Sequence, residues 1–123
     1  MLRVAKVAVA TVGGAGSGGG TATAGVAAPA KLIAVRLDYK YTQVPATTDV
    51  IISNMGRDIY TVSDNASDGV HYPRERANTP TGGTAAAGDN IWEVPVVHDY
   101  VTVEVKQGNV ADPALEATLF FDY

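Results

Sequence analysis

The sequence predicts an all-β fold, an antiparallel β-sandwich or jelly-roll-like barrel of about seven or eight short strands. Three observations predict it. Apolar and polar residues alternate in several short runs. Clusters of Gly, Pro, Asn and Asp punctuate those runs. No stretch of helical length carries a 3.6-residue apolar period.

The elements follow in order. Residues 4–12 are rich in Val and Thr, which suit a pleated surface. Residues 13–20, Gly-Gly-Ala-Gly-Ser-Gly-Gly-Gly, carry a high ordering cost and read as a flexible loop or an arm that orders on contact. Residues 21–28 are small and β-tolerant, and Pro29 marks a bend or a sheet edge. From Lys31 to Tyr41 the alternation is clearest. Leu32, Ala34 and the Arg36 stem share one face; Ile33, Val35, Leu37, Tyr39 and Tyr41 share the other. Thr48 to Ser53 is a second strand, Asn54-Met55-Gly56 a turn, and Arg57 to Ser63 a third strand. Asp64 to Gly69 is dense in turn formers, and Val70 to Tyr72 is a short strand ended by Pro73. Residues 77–90 form a long polar loop. Ile91–Val97 and Tyr100–Lys106 are two strands separated at His98-Asp99, and Leu115–Tyr123 closes the chain.

The chain has 123 residues and reads as one domain. Such a chain hides roughly two-thirds of its unfolded surface, enough for a core without a staple. It has no cysteine, so disulfides, thiolate nucleophiles and Cys-type zinc sites are excluded. The absence of cysteine also suits assembly in a reducing cytoplasm. Net charge is −4, and the nine Lys and Arg are scattered, which argues against nucleic acid and membrane surfaces as partners. The N-terminal stretch has the order of a secretory signal, but Lys6 cuts its apolar run to Val7–Val12, so a strand is the better reading.

Candidate chemistry is sparse. Asp64, Asp68, Gly69 and Glu75 fall at positions 1, 5, 6 and 12 of a calcium-loop template, but Ala66 occupies position 3 and no helices flank the loop. The turn chemistry of Asp and Asn explains the same residues. His71 and His98 have no diagnostic spacing for a metal or for acid–base work with Asp99 or Glu93. The Gly-rich run lacks the following helix that a phosphate loop needs. No nucleophile elbow occurs. The sequence therefore predicts no catalytic residues, no cofactor and no metal. Its aromatic residues carry more information. Tyr and Trp favour interfaces, where one end packs and the other hydrogen-bonds. Tyr72 beside Pro73 and Arg74, and Trp92 after the long loop, are the candidate partner-interface residues.

Several stretches together resemble the small cement, or decoration, proteins of tailed bacteriophage capsids. They are the early strand with its Gly-rich loop, Lys31-Leu32-Ile33-Ala34-Val35-Arg36-Leu37-Asp38-Tyr39, and Pro45-Ala46-Thr47-Thr48-Asp49-Val50-Ile51-Ile52. Asp68-Gly69-Val70-His71-Tyr72-Pro73-Arg74 and His98-Asp99-Tyr100-Val101-Thr102-Val103-Glu104-Val105 complete the set. Their order and spacing along nearly the whole chain carry the resemblance, since each is weak alone. It implies a β-sandwich or jelly roll in a homo-oligomer, a trimer before a dimer. It further implies a seat on the outer capsid surface of the virion, with the major capsid protein as partner. A tail or head–tail connector subunit, or a carbohydrate-binding module, are the rival expectations.

Overall fold

The computed structural model describes residues 1–13, 17–40, 44–65, 67–76, 92–108, 110–111 and 113–123. Tyr41 and the expected loop 77–90 lie outside the described residues. The chain is all-β, with nine strands among the described residues: β1 (Leu2–Val9), β2 (Gly18–Tyr39), β3 (Asp49–Asn54), β4 (Arg57–Val62), β5 (Gly69–His71), β6 (Glu75–Arg76), β7 (Trp92–Glu93), β8 (Val96–Gly108) and β9 (Leu115–Asp122). All the pairings are antiparallel.

β2 organises the molecule. Its first part, Gly18 to Lys31, pairs with β8, which pairs in turn with β3, and β3 with β4. Its second part, Lys31 to Tyr39, pairs with β9 on one side and β5 on the other, and β9 pairs with β1. One strand thus belongs to both halves, and the two halves fold over a shared core. Leu32, Val35, Leu37, Val50, Ile52, Val103, Leu119 and Phe121 are almost wholly removed from water there. Each such side chain contributes about 1.5–3 kcal/mol by its transfer from water.

Where β4 and β5 meet, side chains close the wall. Tyr60 Oη lies 3.3 Å from His71 Nδ1, with the rings 5.9 Å apart. Arg57 donates to Glu75 at 2.7 Å, tying β4 to β6. β3 and β4 are joined by Met55 and Gly56, both at positive φ (53° and 83°), a two-residue turn whose twist matches that of the strands.

One boundary differs from the sequence reading. Pro29, read as a bend or a sheet edge, stands within β2 at a break in its ladder. The pairing with β8 shifts register between Val26 and Ala30, so the missing proline N–H falls where the ladder is already interrupted. His98-Asp99, by contrast, separates no strands. Asp99 takes φ 60° and forms the other side of the same irregularity, within a continuous β8. A second shift, between Leu32 and Ala34 against β9, resets which residues face inward. Leu32 and Val35 are both fully buried, whereas Ile33 is only partly so. The predicted row Ile33-Val35-Leu37-Tyr39 therefore loses its first member to the bulge. The Gly-rich run is also shorter as a loop than the sequence suggests. Gly18 to Gly20 already belong to β2, and Val12 exchanges backbone hydrogen bonds with Gly19 at 3.0 Å.

Candidate functional site

β6 and β7 form a two-stranded ribbon outside the main sheet, with Arg76 opposite Trp92 and Glu75 opposite Glu93. The Arg57–Glu75 ion pair anchors it to β4. Tyr72 and Arg74 lie on the segment that leads from β5 into this ribbon. Tyr72 is 63% exposed and Trp92 58%, and Arg74 is also exposed, its guanidinium donating to the Pro73 carbonyl at 2.6 Å. Pro73 between them is buried, so the segment is seated while its flanking side chains face outward. The structure thus brings Tyr72, Arg74 and Trp92 to one ribbon and its approach.

The acidic turn puts its groups to other uses than a shared ion. Asp68 Oδ1 accepts the Tyr39 N–H at 2.7 Å, and Glu75 is held by Arg57. Asp64 sits at φ 50° with its N–H donated to Asp49 Oδ1, and Asn65 accepts from Ser67 N–H in an Asx turn. His71 is engaged with Tyr60 on the β4–β5 wall. His98 lies at the β8 bulge, with its Nδ1 3.5 Å from Asp99 Oδ2. Among the described residues no three His, Cys, Asp or Glu groups gather as a metal site. No helix among them is long and apolar enough to cross a membrane.

The electrostatics concentrate around Tyr39. Burial, reinforced by the charges of Asp68 and Asp49, pushes its phenol up to about 12. The hydrogen bond with Lys40 holds the Asp38 carboxyl below its usual range, and the same bond raises the Lys40 ammonium.

A second surface feature escapes the sequence reading. β1 and β2 approach each other along a seam that is closed at one end and open at the other. The open end is a groove of about 460 Å³ lined by Met1, Arg3, Val4, Ala5, Gly25, Ala27, Ala28, Phe121 and Tyr123. Tyr123 Oη accepts the Ala27 N–H across it at 3.3 Å, and the Arg3 guanidinium carbon lies 5.7 Å from the Tyr123 ring centre. A signal existed in the alternation: Leu2 and Val4 are apolar in one phase, Val7 and Val9 in the other. A strand apolar in both phases has two faces to cover. Comparison with known proteins finds no significant match to any family model, curated protein or solved structure.

Proposed function

We propose that this chain is a structural binding protein, a cement or decoration protein that stabilises a phage head by binding the major capsid protein lattice as a homo-oligomer. The observation that carries the reading is the outward display of Tyr72, Arg74 and Trp92 on a ribbon, and the segment leading into it, anchored to a tightly packed β framework. Large exposed aromatics beside an arginine are the residue types that anchor protein interfaces. A rigid body that repeats on a lattice gains strength from many individually weak contacts.

The test is co-sedimentation with purified phage shells lacking this protein, after light scattering has given the oligomer size. Saturable binding that Trp92→Ala and Tyr72→Ala weaken, with their thermal midpoints unchanged, is the expected result. A chain that stays in the supernatant at every shell concentration ends the reading. The same exposed rings favour a second reading, a carbohydrate-binding module, because flat aromatic faces stack on sugars. Glycan-array binding that disappears in Trp92→Ala, with no shell binding, would decide for it.

A further inference from the structure

We propose that the open end of the β1–β2 seam is a strand-acceptor groove, taking an extended peptide segment that presents a carboxylate to Arg3. The first observation is backbone direction. Tyr123 N–H donates to the Met1 carbonyl, and the Met1 amino group to the Tyr123 carbonyl, each at 2.9 Å. In an antiparallel ladder, residues bonded to one neighbour alternate with residues whose groups point the other way. Met1, Arg3 and Ala5 therefore bond toward β9, while Leu2 and Val4 turn their N–H and C=O outward, toward the seam. β1 ends the strand order, and no second strand pairs with it among the described residues. An unpaired row of this kind is a template for another strand.

The second observation is the groove itself. Its volume of about 460 Å³ falls in the range of sites that enclose a ligand. Met1 to Ala5 runs about 13 Å at the rise of a strand, long enough to pair with four or so residues. Phe121 and Tyr123 supply an apolar floor, and Val4 leaves an apolar side chain 54% exposed at the rim.

Charge selects the occupant. Arg3 stacks on Tyr123 and has no carboxylate partner among the described residues, and Lys6 further along the same edge is largely exposed beside Glu116. A second β1 docked antiparallel would set these cations against their own copies, which is unfavourable. A strand with an acidic residue opposite Arg3 gains a charge-assisted hydrogen bond instead.

The probe is a capped, fluorescein-labelled peptide of about seven residues, alternating Val and Thr around one central Glu, and its Glu→Lys counterpart. Anisotropy should show the Glu peptide binding at least about tenfold more tightly than the Lys peptide, with Arg3→Glu reversing the order. Val4→Pro removes one outward N–H without touching the bonds to β9, and should weaken the Glu peptide by about tenfold. Amide shifts in the unaltered protein provide a reading free of folding effects. The Glu peptide should move Leu2, Val4, Gly25, Ala27 and Ala28. Equal affinity for the two peptides, amide shifts confined to other strands, or no binding at millimolar peptide overturns the proposal. So does a light-scattering mass that falls in Val4→Pro, because the occupant is then a second copy. Shell binding that survives Val4→Pro, with peptide binding lost, would leave the cement reading intact and separate the two.

Discussion

The two ends of the β1–β2 seam involve the same strands, yet one is sealed and the other gapes. At the sealed end Ala10 lies directly against Gly20. A methyl group on Gly20 would stand 1.9 Å from the Ala10 carbonyl oxygen. Thr11 reaches the Ala111 backbone there through both its N–H and its hydroxyl, and Tyr39, Leu115 and Gly108 line a small cavity nearby. At the open end Gly25 has no neighbour within 4 Å of the space its side chain would take. β2 is already leaving β8 for β9, and a tyrosine hydroxyl rather than a ladder spans the gap. Closure follows from how closely two backbones can approach, and opening follows from one strand changing partners.

The largest way to break this contrast is Gly20→Ala. The backbones must part at the sealed end, at a cost of about 2–3 kcal/mol. Urea unfolding measures it, and an unchanged midpoint would mean that the contact is not a seal.

Next comes Asn54→Ala. The buried Asn54 side chain donates to the carbonyls of His98 and Tyr100, both at 2.7 Å, and so braces the β8 bulge opposite Val26–Ala30 at the open end. Losing both bonds should cost about 1–2 kcal/mol. Faster hydrogen exchange should appear at residues 97–101 and leave the sealed end untouched.

Tyr39→Phe acts at the sealed end and should do little harm. The hydroxyl is buried, 8% of the residue being exposed, and has no hydrogen-bond partner among the described residues. Its removal should leave stability unchanged or raise it by about 1 kcal/mol. The pH profile sharpens the test. The folded phenol holds its proton to about pH 12, whereas an unfolded tyrosine releases it near 10. Above pH 10 the unfolded chain loses protons that the folded chain keeps, so stability falls as pH rises from 10 toward 12. That fall, on the order of 1–3 kcal/mol, should be smaller in Tyr39→Phe when both proteins are titrated by urea unfolding.

The smallest effect belongs to Tyr123→Phe. One long, exposed hydrogen bond to Ala27 is lost, and the midpoint should move by no more than about 0.5 kcal/mol. Crystallography or amide shifts would show the groove wall at Ala27 relaxing while the Ala10–Gly20 contact stays in place.

Much of the strand content was legible in the residues. Val50-Ile51-Ile52, Ile59 to Val62, Val101-Thr102-Val103-Glu104-Val105 and Leu115 to Phe121 alternate, and each forms a strand. Of the aromatics singled out in the sequence, Tyr72 and Trp92 are exposed. The bulges were not legible. Pro29 reads as a bend or a sheet edge and His98-Asp99 as a boundary because local propensity registers the broken ladder, not the strand that resumes beyond it. The groove was not legible either, because its walls come from two stretches, Met1–Ala5 and Gly25–Ala28, far apart in sequence, and its floor comes from the other end of the chain.

From the sequence alone come the β class, the turn positions and the residues too apolar to leave in water, because each of these depends on side chains within a few positions of one another. Only the tertiary structure decides that β2 serves both halves, that Ile33 turns partly outward while Leu32 and Val35 do not, and that Arg3 and Val4 border a seam. Those outcomes depend on which backbone lies beside which, and pairing across about a hundred residues is settled by the packing of the whole core.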